Sequence, residues 1–153
     1  MSFDKNGKIK WGYTAGTVDI IKWMKILLEP THDYAKDAAV VDTKKLLAKL
    51  HKTAEEVVAD YLKELWNYAV KEIARKKGDE WRNIYKLRVV LTVPAVWTAG
   101  AKDRTLRAAR KAGMPNEIQL VAEPEAAALA VLRDKSEMKD LEVRPHWLLV
   151  FSS

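Results

Sequence analysis

The 153-residue sequence contains no cysteine, which excludes a disulfide framework, a thiol nucleophile and a cysteine-bound zinc module. Its three histidines, His32, His51 and His146, are too scattered to give a metal-ligand spacing. Glycine is scarce. The six residues lie far apart, so no glycine-rich loop can turn several backbone N–H groups onto a phosphate. Neither the G-x-x-x-x-G-K-S/T loop nor the G-x-G-x-x-G fingerprint occurs, and there is no G-x-S-x-G nucleophile elbow. No apolar run approaches the roughly 20 residues that cross a bilayer. The opening MSFDKNGKIKWG is basic and lacks the apolar stretch of a secretory signal. These absences point to a soluble, cytoplasmic protein with no membrane partner.

What is present is enough for a packed core. The chain is 48% hydrophobic and 31% charged, and a domain of this length buries roughly 70% of the surface its unfolded chain exposes. Lysine and arginine outnumber aspartate and glutamate by 27 to 21, a net charge of +6. The basic residues gather at Lys71, Arg75, Lys76, Lys77, Arg82, Lys86 and Arg88, and again at Lys102, Arg104, Arg107, Arg110 and Lys111. Such an excess serves solubility or marks an acidic partner. A nucleic-acid partner, bound through a helix at 98–112, rests on charge alone and is the weakest of the readings.

Residues 1–17, with Gly7, Gly12 and Gly16 and little apolar periodicity, read as an irregular lead-in. Val18–Leu28 is nearly continuous in hydrophobicity and suits either a buried helix or a strand. It stops at Glu29-Pro30, because proline disfavours helical geometry in the residue before it. Residues 31–42 read as a loop and 43–50 as a short helix with leucines at 46, 47 and 50. Thr53-Ala-Glu-Glu56 is a capping box. Val57, Tyr61, Leu62, Leu65, Ala69 and Ile73 then form one apolar stripe down a helix, with Arg75, Lys76 and Lys77 at its negative end and Gly78 beyond.

The pattern changes at Leu87. Residues 87–93 are rich in β-branched side chains and end at Pro94. Thr98 caps a helix to Ala112, closed by Gly113, and Ile118–Ala122 is a second strand. Pro124 stands in the first turn of a helix through Leu132. A polar stretch (134–145) leads to a third strand at His146–Phe151. Strands and helices alternating in this order predict an α/β fold with parallel strands and crossover helices. A helical part (18–86) and a βαβαβ part (87–153) meet near Gly78–Lys86.

Three places could hold chemistry. Glu123 and Glu125 stand where a strand runs into a helix, and ligands of open α/β sheets bind beyond the carboxyl ends of strands. A carboxylate there can orient a water, accept a proton or hold a hydrated metal, or it can merely complement the helix dipole. Thr92-Val-Pro94-Ala-Val-Trp97-Thr98 is a second strand end, where Pro94 can simply terminate the strand and Trp97 simply fill the core. Lys22 and Lys25 could reach a phosphate or share one solvated side of a helix.

Val90-Leu-Thr-Val-Pro-Ala-Val-Trp97, then Ala101-Lys, Ala108-Ala109 and Ala112-Gly113, then Val121-Ala-Glu-Pro-Glu-Ala-Ala-Ala128 resemble the nucleotide-binding domain of the 70-kDa heat-shock protein family, within the actin-like ATPase superfamily. The similarity is to divergent members reading VPA-I/V-W and EPEAA. Trp23-Met-Lys-Ile-Leu-Leu-Glu-Pro30 and Glu55-Glu-Val-Val-Ala-Asp-Tyr-Leu62 resemble them as well. The resemblance implies a partial actin-like, ribonuclease H-like lobe that binds ATP or ADP with magnesium. Glu123 matches the glutamate that positions the hydrolytic water, and Pro94 the proline that switches with nucleotide state. Lys102 stands where better-known members place the arginine sensing that switch. Lys25 or Lys22 falls in the region of the catalytic lysine. The parent would use ATP hydrolysis to drive the binding of client polypeptides, together with co-chaperones.

The pattern departs from the family in its phosphate grip. Neither of the two glycine-rich hairpins that hold phosphate is present in these residues, nor is a second lobe. The expectation is an incomplete domain, natural or excised, with no appreciable ATPase activity alone. The alternative is a non-enzymatic interaction module that self-associates or binds a partner through uncovered apolar surface.

Overall fold

The computed structural model describes residues 1–4, 7–15, 19–29, 37–136 and 149–151. It is mixed α/β: helices accompany a two-stranded antiparallel sheet and a three-stranded parallel one. The lead-in is more regular than its glycines suggest. β1 (Ser2–Phe3) and β2 (Ile9–Lys10) pair as a short hairpin. Met1 is buried with Ile21, Leu47 and Val57, and Phe3 and Ile9 pack against that cluster. Trp11 sets its ring edge-on to Tyr61 and Tyr68, at 6.3 and 5.8 Å between centroids. Isolated apolar residues without periodicity thus dock on a partner helix.

Residues 19–29 form neither the long helix nor the strand that their hydrophobicity allows. They run irregularly to a single 3-10 turn at Ile26–Leu28, with left-handed backbone at Asp19 (φ 54°) and Trp23 (φ 56°). This path sends Ile21 into one buried cluster and Leu28 into another.

Helix α1 spans Ala38–Lys49, so the expected loop at 31–42 is corrected at its second half; residues 30–36 lie outside the described residues. Asp37 starts the helix by accepting from the Ala39 N–H at 2.8 Å, and Val40, Thr43 and Leu47 make its buried stripe. His51 (φ 52°) ends it: His51 N–H donates to Ala48 and Lys52 N–H to Leu47, a Schellman closure. Helix α2 (Ala54–Lys77) carries the expected capping box, with Thr53 and Glu56 each satisfying the other's backbone N–H. One further turn, α3 (Trp81–Ile84), buries Trp81.

The parallel sheet is built from β3 (Val89–Val93), β4 (Ile118–Ala122) and β5 (Leu149–Phe151), in the order β4-β3-β5. Residues 146–148 of the third expected strand lie outside the described residues. Between the strands come α4 (Ala99–Lys111), closed by Gly113 at φ 83°, and α5 (Glu123–Ser136). All five residues of β3 are buried. Val89, Leu91 and Val93 join Val58, Leu62 and Trp66 of α2 and Ala101, Ala108 and Ala109 of α4 in the main core.

Helices α2 and α4 approach closely because α4 offers alanines at the contact. Across the rim of that contact Glu55 of α2 receives Arg107, at 2.9 and 3.1 Å, and Lys111, at 3.1 Å. The Arg107 hydrogen bonds hold the Glu55 carboxyl below its ordinary value of 4.5, and Arg107 is raised in return.

Two outcomes follow from this packing. Ala108→Leu forces a methyl-lined contact apart and lowers the unfolding free energy by about 1–3 kcal/mol in urea titration. Because the Glu55 value is depressed by folding, its contribution is complete above 4.5 and is lost as pH falls through the lower folded value. The stability difference between the wild type and Glu55→Gln, measured across pH, is therefore present at neutral pH and closes on acidification.

Candidate functional site

The site lies at the carboxyl ends of β3 and β4. The two strands are in register to their last residues, Val93 opposite Ala122, so Pro94 and Glu123 are the next residues on each chain. Pro94 begins a tight turn in which the Trp97 N–H donates to the Pro94 carbonyl at 3.2 Å. Trp97 folds back into the core, and Thr98 caps α4 through its hydroxyl. Glu123 is the first residue of α5, with Pro124, which has no N–H to leave unpaired, immediately after it.

Lys25 completes the cluster from the opposite end of the sequence. Its Nζ donates to Oε1 of Glu123, 98 positions away, and sits 5.7 Å from the centroid of the Trp97 ring. Lys22 goes elsewhere: it is exposed and contributes a backbone carbonyl that accepts from the Thr43 hydroxyl at 2.8 Å. Of the two candidate lysines, Lys25 is the one brought to the acid. Lys102 stands half-buried in the first turn of α4. No hydrogen bond or ion pair joins its side chain to this cluster among the described residues. Glu125 is exposed in the first turn of α5, where it faces the positive end of the helix.

Glu29 is the functional neighbour that the sequence pattern did not single out. It is only 4% exposed and accepts both the Thr98 N–H, at 2.9 Å, and the Thr98 hydroxyl, at 2.5 Å. Arg104, one turn into α4, donates Nε to the Leu28 carbonyl at 2.7 Å. The available signal was an acid closing an apolar run, which reads more simply as a helix stop before proline.

The space around this cluster is narrow. An apolar hollow of about 100 Å³ lies beneath Lys25 between Met24, Leu28, Leu62, Val93 and Trp97, well below the roughly 300 Å³ at which small-molecule pockets begin. A wider hollow of about 730 Å³ opens among Lys86–Arg88 and Asn116–Gln119. That is the amino end of β3 and β4, opposite the end at which parallel sheets hold their ligands.

The donor chemistry also limits what the cluster can hold. Magnesium takes several oxygen ligands in octahedral geometry. Among the described residues no group of three acidic or histidine side chains comes together, and the Glu123 carboxylate is engaged by Lys25. These residues do not by themselves fit a magnesium ion. Nor do they make a strong phosphate site: the α4 N-terminus is occupied by the Glu29 carboxylate, and the α5 N-terminus carries two acids. What the cluster provides is one cation, one carboxylate able to accept a proton or orient a water, and a rigid turn beside them.

No protein-family model matches the chain, and neither a curated protein nor a solved structure matches it.

The Lys25 and Glu123 side chains are 26% and 38% exposed, so water screens their attraction. Removing either partner, as Lys25→Met or Glu123→Gln, lowers the unfolding free energy by no more than about 1 kcal/mol. A double-mutant cycle in urea checks this, since a coupling well above that figure would mean a pair far drier than its exposure.

Proposed function

We propose that this chain is part of an ATP-binding domain of the 70-kDa heat-shock type, an actin-like ATPase lobe whose parent protein couples hydrolysis to client-polypeptide binding. The observation that carries this reading is the meeting of Lys25 with Glu123 at the carboxyl end of the parallel strands. The motif resemblance names that acid on grounds independent of the packing, and Lys25 and Lys22 lie in about the region of the family's lysine, though no motif fixes either one. Pro94 lies directly beyond the same strand end, where a change in the turn would reach both residues.

In this reading Glu123 accepts the hydrogen bond that aims a water, and the Lys25 ammonium offsets negative charge on the group being transferred. Phosphoryl transfer rests almost wholly on positioning and electrostatic stabilisation. These 153 residues contain no glycine-rich hairpin to grip a phosphate, and Lys25 is already neutralised. Affinity is weak and turnover negligible for the chain alone.

The test is the thermal midpoint with and without millimolar Mg-ATP, in the wild type and in Glu123→Gln. A ligand that binds only the native state raises the midpoint. The expected result is a reproducible rise that the substitution alters, without detectable ATP hydrolysis. A cooperative melt with no shift overturns the nucleotide reading. Turnover abolished by Glu123→Gln overturns the proposed inactivity.

One observation favours a second reading, a non-enzymatic module that self-associates. Helix α5 presents Leu129, Val131 and Leu132 to solvent, at 59%, 53% and 63% exposure, and uncovered apolar surface of this kind drives association. This reading expects a dimer in sedimentation equilibrium that reverts to monomer in Leu129→Glu/Leu132→Glu. A wild-type monomer at high concentration excludes it.

A further inference from the structure

We infer that Glu29 is a positioning residue for Lys25: with Thr98 and Arg104 it forms a clasp that locks the segment bearing the lysine onto the turn that follows β3. The inference stands whether or not the site handles a nucleotide.

Three hydrogen bonds make the clasp. Two run from Thr98 to the Glu29 carboxylate and the third from Arg104 to the Leu28 carbonyl. They fasten residues 28 and 29 to the first two turns of α4, across 69 and 76 positions of sequence. A nearly buried carboxylate is costly unless fully paired. Here the α4 N-terminus supplies N–H, hydroxyl and the positive end of a helix dipole together. The bond is thereby directional, and it fixes where the 3-10 turn Ile26–Leu28 ends. Lys25 immediately precedes that turn, and its carbonyl accepts the Leu28 N–H at 3.0 Å. Upstream, residues 19–23 form no helix or strand, and that side is held by Ile21, hydrogen-bonded to Met1, and by the Lys22 carbonyl, hydrogen-bonded to Thr43, both short of the lysine itself. The clasp holds the lysine from downstream, and Leu28, 1% exposed, pins the same residues into the core.

The reactivity of Lys25 toward a lysine-acylating reagent, read site by site by mass spectrometry, reports its engagement with Glu123. Glu123→Ala, which leaves no acceptor at that position, sets the level for a lysine without this partner. Glu29→Ala is expected to raise Lys25 labelling by roughly two- to fivefold, the range that the energies of partly exposed ion pairs allow. Glu29→Gln, whose amide oxygen can still accept from Thr98, is expected to restore labelling close to the wild-type level. Each variant is checked for a cooperative melt. If Glu29→Ala does not fold, Thr98→Val is measured in its place, removing the hydroxyl and leaving the N–H. Labelling that rises in a folded variant, with rescue by glutamine at position 29, supports the inference. Labelling unchanged in a folded variant overturns it, as does a wild-type Lys25 that already labels at the Glu123→Ala level.

Discussion

A parallel strand cannot be left half-covered. At the centre of a sheet its backbone pairs on both edges, and its side chains, which point alternately to both faces, need a layer on each. β3 meets all of these demands: β4 and β5 pair with its two edges, and its five residues are all buried. Val89, Leu91 and Val93 turn to α2 and α4, while Val90 and Thr92 point to the opposite face. The rest of the architecture answers to this one strand. The alanines of α4 let that helix pack closely against α2 in the core that both share with β3. The register of β4 then delivers Glu123 beside the turn that β3 ends in.

Much of this was legible in the sequence because the relevant signals are local. The capping box at Thr53, the β-branched run ending at Pro94, the Thr98 cap and Gly113 each act within a few residues, and each marks a boundary the structure keeps. The failures share a different physics. Residues 19–29 are apolar enough for a helix or a strand, and neither forms: left-handed backbone at Asp19 and Trp23 interrupts any regular element, and the side chains divide between two hydrophobic clusters. The hairpin at residues 2–10 has almost no pattern of its own and exists by docking on α2. The start of α1 was hidden because Asp37 and a valine pair look like loop until a partner shows which side is buried.

The site divides along the same line. Glu123 and Pro94 were visible as residues at strand ends followed by helices. The choice between Lys22 and Lys25 was not, since it depends on the irregular backbone that carries them, with Trp23 at φ 56° between the two. Glu29 was invisible as a site residue for a related reason. Its partner Thr98 already had a local role as a helix cap, and nothing near either residue in sequence announces the other.

Three contacts that tie the Lys25 segment to this end of the sheet join residues far apart in the chain: 98 positions for Lys25 and Glu123, 69 for Glu29 and Thr98, 76 for Leu28 and Arg104. The helices, by contrast, close on hydrogen bonds four residues long. Closing loops of this length costs conformational entropy that the contacts must offset. The cluster with the most chemical promise therefore exists only where the strip carrying Lys25 and the β3–α4–β4 unit are folded together, and neither segment carries it alone.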